Sequence, residues 1–167
     1  MAKDSGPDMK IGLISDTHGH LPSQVRKAFS DVDLIIHAGD IGNQAVMTEL
    51  QALAPVRAVY GNMDGSQVGR LDRVEFVDAD GTIICVIHIL NSPQAMVREL
   101  SKSGKQVDVV VFGHTHRAQE TRHNGILFVN PGSATQPRGD KGPSVAVLVV
   151  ENSRVIVEFV WLADLMH

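Results

Sequence analysis

The chain has 167 residues, 43% hydrophobic and 20% charged, which is a normal balance for one globular domain with a real core. The formal net charge is −4 and no basic tract stands out, so the sequence gives no support for nucleic-acid binding through lysine and arginine. The longest apolar runs, Ile83–Ile87 and Val145–Val150, are far too short to span a bilayer.

We expect a single domain over residues 1–167, with residues 1–9 as a loose lead-in. The first ten residues are polar and contain no apolar signal core, so no secretory signal is predicted. The one cysteine, Cys85, lies inside an apolar run, where we expect a small buried hydrophobic residue and not a nucleophile. A single cysteine cannot form an internal disulfide, which agrees with a cytoplasmic location.

The first half of the chain alternates between predicted strands and helices. Pro22 suits a first helical turn, and Asn43 is a typical N-cap. This alternation is the pattern of a parallel α/β sheet. The predicted elements are strands at Lys10–Ile14, Asp33–His37 and Val56–Tyr60, and helices at Pro22–Phe29 and Gln44–Ala54.

The second half is predicted to be mainly β. It contains one helix, Pro93–Ser103, closed by Gly104, and an exposed loop, Ser133–Pro143. We expect two mainly mixed β-sheets packed as a sandwich, with the helices outside. The predicted strands are Val74–Val77, Thr82–His88, Asp108–Phe112, Arg117–Arg122, Ile126–Asn130, Ser144–Val150 and Arg154–Leu162.

Five strand-like runs end in polar side chains that bind metals. The run 34–39 leads into Asp40, which we predict to bridge two ions. The carboxyl ends of strands in an open α/β sheet gather at one edge, so these side chains are predicted to converge. Nitrogen and oxygen donors without a thiolate suit Mn, Fe, Zn, Co or Ni, and seven donors exceed what one tetrahedral ion needs. The candidate ligands are Asp16, His18, Asp40, Asn62, His88, His114 and His116.

Each of these fragments alone has an ordinary explanation. Asp16 and His18 suit a turn with a capping carboxylate and a solvent-exposed imidazole, Asn62 suits a turn, and His88 suits a core histidine. His114-Thr115-His116 is stronger, because a core strand has no use for two imidazoles at its end. The metal site is therefore predicted from the five stretches taken together.

In this order, Asp16-x-His18, Gly39-Asp40, Gly61-Asn62, His88 and Gly113-His114-x-His116 resemble the calcineurin-like metallophosphoesterase superfamily. The chain length and Asn130-Pro131-Gly132-Ser133 resemble its small single-domain prokaryotic phosphodiesterase branch. The resemblance covers roughly residues 9 to 161 and implies a four-layer α/β/β/α fold. It also implies a small phosphate ester as substrate and two divalent ions, with manganese expected.

The resemblance assigns the candidate ligands to two ions. Asp16, His18, Asp40 and His116 would hold one ion, and Asp40, Asn62, His88 and His114 would hold the other. A hydroxide that bridges the two ions would attack phosphorus in line with the leaving oxygen.

Two positions depart from the family pattern. Met63 stands where many members carry a histidine that helps to protonate the leaving group, and Ile89-Leu90 follow His88 where glycine and a polar residue are common. His20 and Asp64 are the substitute proton donors, although each is also a plausible turn residue. His37, just before the Asp40 turn, is predicted to orient a ligand.

Two other functions fit the sequence less well. A scaffold of the same fold, similar to the retromer subunit that shares it, would act through protein binding and would not need seven converging donors. A nucleotide-binding α/β protein is disfavoured, because the chain contains neither G-x-x-x-x-G-K-[ST] nor G-x-G-x-x-G. The sequence leaves open the natural substrate and whether the protein forms a homo-oligomer.

Overall fold

The computed structural model describes residues 8–165, which contain ten strands and three α-helices. The strands are β1 Met9–Ile14, β2 Leu34–His37, β3 Val56–Ala58, β4 Val74–Ala79, β5 Thr82–Ile87, β6 Val109–Val111, β7 Ala118–His123, β8 Ile126–Pro131, β9 Ser144–Glu151 and β10 Arg154–Trp161. The helices are α1 Gln24–Ala28, α2 Gln44–Gln51 and α3 Pro93–Ser103. Among these residues, no helix is long and apolar enough to cross a membrane.

The strands form two mixed five-stranded sheets. The first sheet has the order β10-β9-β1-β2-β3, and the second has the order β4-β5-β6-β8-β7. β1, β2 and β3 run parallel in the first sheet, and β5, β6 and β8 run parallel in the second. Within each sheet, the carboxyl ends of the parallel strands therefore face one edge, where ligand sites of α/β proteins form.

Three apolar layers hold the sheets and helices together. Between the sheets, Leu13 and Ile36 pack in one cluster with Val86 and Val111. Outside the first sheet, side chains of α1 and α2 such as Val25 and Leu50 cover its other face. Leu100 of α3 covers the second sheet, together with Cys85 and Phe128. The predicted four-layer α/β/β/α sandwich is confirmed.

Cys85 is fully buried, as predicted. Burial raises the pKa of its thiol to about 11, so the thiol stays protonated and unreactive at neutral pH.

Most element predictions hold, and the differences lie at the ends. α3 begins and ends where predicted, capped by the Ser92 side chain, and Gly104 after it has a φ of 72°. The Asn43 side chain caps α2, which ends at Gln51, and α1 covers only the middle of its predicted range. Met9 belongs to β1, whereas the rest of the predicted lead-in, apart from Asp8, lies outside the described residues.

The prediction that Ser133–Pro143 is an exposed loop was wrong for its first two residues. Ser133 and Ala134 are fully buried, because the Ser133 hydroxyl donates a hydrogen bond to the carbonyl of Asp16 at 2.8 Å. Composition alone did not indicate that a Gly- and Pro-rich segment begins under the loop that follows β1.

A close contact between β1 and the end of α1 gives a first prediction. A Cβ atom at Gly12 would lie 2.9 Å from three ring atoms of Phe29, so Gly12→Ala should destabilise the fold by about 1–3 kcal/mol through overpacking. Urea unfolding measures this cost. In a Phe29→Leu background the cost should shrink, and Gly139→Ala, where no atom lies within 4 Å of the added Cβ, serves as the control. An equal cost in both backgrounds would contradict the steric explanation.

Candidate metal centre

The loops that follow β1, β2, β3, β5 and β6 bring the predicted ligands to one site. Two groups have ligand atoms within 4.8 Å of one another: Asp16 with His18 and His116, and Asp16 with Asp40 and His88. Asn62 and His114 join the second group, because Asn62 Oδ1 lies 2.9 Å from His88 Nε2 and 3.1 Å from His114 Nδ1. The structure thus brings all seven candidate side chains together.

The carboxylate of Asp16 lies at the centre of the two groups. Its Oδ2 accepts hydrogen bonds from the Ser15 hydroxyl at 2.7 Å and from the His114 amide at 3.1 Å. Its Oδ1 is buried and has no hydrogen-bond partner. Three imidazole Nε2 atoms surround Oδ1, from His116 at 3.3 Å, His18 at 3.8 Å and His88 at 3.9 Å.

The histidine tautomers show what this arrangement requires. His88 Nδ1 donates to the Ala38 carbonyl at 2.7 Å, and His116 Nδ1 donates to the Gln136 carbonyl at 2.7 Å. In the neutral rings, both Nε2 lone pairs therefore face the carboxylates. His18 Nε2 and His116 Nε2 are also only 3.3 Å apart. Lone pairs and an orphaned carboxylate oxygen that face one another repel unless a cation lies between them, so the residues fit a divalent metal ion.

Asp40 is held so that one oxygen faces the same space. Its Oδ1 accepts from the Met63 amide at 2.8 Å, whereas its Oδ2 lies 3.3 Å from His88 Nε2 and 3.8 Å from His18 Nε2. Asp40 therefore reaches imidazoles on both sides of the centre. The two compact groups, however, share Asp16 and not Asp40.

The ionisable groups of the site favour a bound cation. Burial acts to raise the pKa of Asp40, but hydrogen bonds from the protonated form of His88 and from the Met63 amide outweigh it, and the pKa lies below its usual value. Burial acts to lower the pKa of His88, yet its hydrogen bonds to Asp40 and the Ala38 carbonyl raise it. These opposite shifts show an ionised carboxylate that attracts a cation, which a proton on His88 or a metal ion can supply.

Backbone strain is concentrated at the same residues. A positive φ places five of them in the left-handed region: Asp16 at 55°, His18 at 47°, Asp40 at 56°, His114 at 73° and His116 at 59°. Such a conformation costs a non-glycine residue roughly 1–3 kcal/mol and is found where function requires it. The other described non-glycine residues with positive φ are Asp80, Asn124, Asn152 and Ser153, all at hairpin turns.

His37 fixes two of the site loops to each other. Its Nδ1 accepts from the Gly39 amide at 3.1 Å, so its Nε2 carries the proton and donates to the Thr17 hydroxyl at 3.0 Å. That hydroxyl donates in turn to the Ile41 carbonyl at 2.8 Å. Burial, with a smaller contribution from His88, lowers the pKa of His37 to about 3, so the imidazole stays neutral. His37 thus joins the loop that carries Asp16 to the loop that carries Asp40.

Sequence reasoning missed a second set of supports. The Thr135 hydroxyl lies 3.2 Å from the Asp16 and Thr17 carbonyls, and Asn130 Nδ2 donates to the Gly113 carbonyl at 3.1 Å and to the Thr115 hydroxyl at 3.0 Å. The abrupt end of the strand at Asn130-Pro131-Gly132-Ser133 was the available signal.

The candidate proton donors occupy different environments. Asp64 accepts hydrogen bonds from the Gly42 amide at 3.0 Å and the Gly61 amide at 2.9 Å, so each of its carboxylate oxygens is bound to a backbone amide. His20 is exposed on the loop after β1. Met63 is 66% exposed directly beside Asn62.

Gly61 allows the loop after β3 to approach Asp40. A Cβ atom there would lie 2.1 Å from both the backbone nitrogen and Oδ1 of Asp40. Only glycine therefore permits Asn62 to stand beside the carboxylate.

These features define a class of protein: a four-layer α/β sandwich with histidine, aspartate and asparagine side chains gathered at the carboxyl ends of its strands, where groups of them can hold divalent metal. The family model of the calcineurin-like phosphoesterase superfamily domain matches residues 9–153. The chain belongs to this superfamily.

Relatives and solved structures agree with this assignment. A probable metallophosphoesterase of Methanothermobacter thermautotrophicus is 36% identical, over 91% of this chain and 92% of the relative. A phosphodiesterase of Methanocaldococcus jannaschii is 34% identical, over 74% of this chain and 83% of the relative. The crystal structure of Vps29 from Entamoeba histolytica complexed with Zn²⁺ has the same fold, with a TM-score of 0.72 and 22% identity over 92% of this chain and 99% of that one.

The repulsion among the donors predicts that metal stabilises the protein. Mn²⁺ at about 100 times its dissociation constant should add about 2.7 kcal/mol to the free energy of unfolding, which is a rise in melting temperature of about 5–10 °C for a chain of this size. Thermal unfolding in EDTA and in Mn²⁺ measures the shift.

Asp16→Asn should lose most of this shift, whereas Asp164→Asn, an exposed carboxylate outside the site, should keep it. A wild-type melting temperature that does not respond to Mn²⁺, Zn²⁺, Fe²⁺, Co²⁺ or Ni²⁺ would contradict the metal centre.

Proposed function

We propose that the protein is a phosphodiesterase that depends on two divalent transition-metal ions, with manganese preferred, and acts on small-molecule phosphate esters. The single observation that supports it most is the buried, unpartnered Asp16 Oδ1 surrounded by three imidazole nitrogens. The preference for diesters is supported by the phosphodiesterase of M. jannaschii, which is 34% identical. We further propose a cytoplasmic location, for which the support is the single buried thiol of Cys85.

The proposed ligand sets follow the two sides of the centre. Asp16, His18, Asp40 and His116 would hold one ion, and Asp40, Asn62, His88 and His114 would hold the other. When bound, two such ions lower the pKa of a water molecule toward neutrality and draw charge from the phosphate oxygens.

The exposure of the ligands suggests how substrate reaches the centre. Asp16, Asp40 and His88 are buried, whereas Asn62 and His114 are exposed. The buried set holds the geometry, and the exposed pair borders the opening through which a phosphate ester enters. Asn62 also offers an amide nitrogen that can donate a hydrogen bond to a phosphate oxygen.

Protonation of the leaving group falls to a residue other than Met63. We propose His20 as the first candidate, because it is exposed on the loop that carries His18. Asp64 is the second candidate, because both of its carboxylate oxygens already accept hydrogen bonds from backbone amides and connect two loops.

The alternative is a scaffold of the same fold that acts by binding proteins. Vps29 of E. histolytica is described in complex with Zn²⁺, so metal content alone does not separate a scaffold from an enzyme. Hydrolysis does separate them, and the experiment that tests the proposal measures it.

Purified protein should bind about two metal ions per chain and hydrolyse bis(p-nitrophenyl) phosphate in Mn²⁺. Asp40→Asn removes a charge that faces both groups, so it should lower kcat/KM by at least about 10³-fold, as expected when most of the metal-dependent catalysis is lost. Elemental analysis and nitrophenolate release measure the two effects.

Asp164→Asn is the matched control and should hydrolyse at the wild-type rate. Protein that binds two metals but hydrolyses no phosphate ester under any of the five candidate metals would favour the scaffold.

The exposed position of Met63 predicts a gain of activity. Met63→His should place an imidazole beside Asn62 and raise turnover on esters with poor leaving groups by about 10–10²-fold, because a general acid contributes 10²–10⁴-fold when ideally placed. Methyl esters compared with p-nitrophenyl esters measure it. Gains of equal size on both ester types would argue against a missing proton donor, and Met63→Gln controls for polarity alone.

A further inference from the structure

A cavity lies beside the candidate metal centre. It has a volume of about 490 Å³, within the range of ligand pockets. It lies where the space between the two sheets reaches the same end of the sandwich as the ligands, since β10 ends there and β7 begins there. Among the residues that line it are His116, Ala118, Gln119, Ser144, Phe159 and Trp161.

His116 joins this cavity to the metal centre. Its Nε2 lies 3.3 Å from Asp16 Oδ1, while its Nδ1 donates to the Gln136 carbonyl and its own carbonyl accepts from the Arg138 amide at 3.0 Å. The segment that these bonds hold continues into Gly139 and Lys141, which line the cavity. His116 therefore belongs both to the candidate ligands and to the cavity lining, so the two places are adjacent.

Two aromatic side chains line the cavity. Phe159 and Trp161 are two residues apart on β10, so they point to the same side. Their rings are stacked, with centroids 6.3 Å apart and an angle of 22° between planes. Both side chains are partly exposed. A chain with only one tryptophan and 4% aromatic residues thus places an accessible aromatic pair next to its metal centre.

The rest of the lining is cationic and polar. Lys141 Nζ lies 5.3 Å from the centroid of the Trp161 ring, and Arg117 lies directly after His116 on the cavity wall. None of the described residues that line the cavity is acidic, although the chain carries a net charge of −4. Gln119 adds an amide with both a donor and an acceptor.

We propose that this cavity binds the nucleobase of the substrate, so that the phosphate esters hydrolysed at the metal centre are nucleotide-type diesters. The aromatic pair stacks on the base, the Gln119 amide is available to its polar edge, and Arg117 and Lys141 attract the anionic ligand. A ligand with an apolar alkyl group in place of the base would contact the rings but would leave Arg117, Lys141 and the Gln119 amide without polar partners. The substrate class rests on the proposed function, whereas base binding does not.

Trp161 itself reports on base binding, because it is the only tryptophan of the chain. Adenosine 5′-monophosphate should quench its fluorescence in the metal-loaded protein, and ribose 5-phosphate, which lacks the base, should not. Lys141→Ala removes a cation that attracts the anionic ligand, so it should weaken the adenosine 5′-monophosphate interaction by up to about 5-fold, the strength of an exposed charge pair. Lys105→Ala removes a cation from the ring of Phe76 elsewhere and should have no effect. Equal quenching by both phosphates, or by neither, would overturn the proposal.

Hydrolysis tests the substrate class. Thymidine 5′-(p-nitrophenyl phosphate) and methyl p-nitrophenyl phosphate share a leaving group, but only the first has a base. Trp161→Ala should lower kcat/KM for the thymidine ester about 5- to 150-fold, the strength of one base–aromatic stack, and leave the methyl ester within about twofold. Trp161→Phe should retain most of the thymidine activity. An equal loss on both esters by a variant that keeps the wild-type melting temperature would overturn the substrate class, since the Trp161 ring would then contribute equally with and without a base.

The failure of one proposal can be told from the failure of the other. If wild-type protein hydrolyses neither ester but adenosine 5′-monophosphate alone quenches Trp161, base binding stands and the proposed hydrolysis fails. If the methyl ester is cleaved as fast as the thymidine ester and no quenching occurs, the hydrolysis stands and the nucleobase subsite fails.

Discussion

The structure depends on holding electron-rich groups against one another. Asp16 Oδ1 has no donor, and three imidazole nitrogens lie within 3.9 Å of it. Without a cation this arrangement is unfavourable, because the Nε2 lone pairs of neutral His88 and His116 face carboxylate oxygens in a buried space. Much of the architecture around the site can be understood as what keeps these groups from separating.

Two layers of support provide that restraint. The parallel strands of both sheets fix where the loops begin, and the side chains of His37, Ser133 and Thr135 fix the loops to one another. The supports bind mostly to backbone carbonyls and amides, so they determine loop shape without competing for the metal. The positive φ angles at five candidate ligands are the strain that this bracing sustains.

Much of the fold was predictable, because local signals and burial agree. Apolar runs became strands, Asn43 became the cap of α2, and Gly104 follows the end of α3. The candidate ligands were also predictable, since polar residues at the ends of buried strands converge in α/β proteins. The supports were not, because Ser133 and Thr135 are common loop residues whose partners lie more than 115 positions away. Strand ends moved by a few residues, as at Val59, which lies beyond the end of β3 and forms an isolated bridge with Asp72.

The two hydrogen bonds that fix segment 136–138 to His116 have a thermodynamic consequence. Whatever holds that segment in place also holds the His116 ring in the orientation that faces Asp16. Linkage between two binding sites is reciprocal. A ligand that binds the neighbouring cavity and stabilises this segment must therefore raise the affinity for metal, and metal must raise the affinity for that ligand by the same factor. If the cavity binds substrate as proposed, the His116 imidazole makes metal loading and substrate affinity parts of one equilibrium.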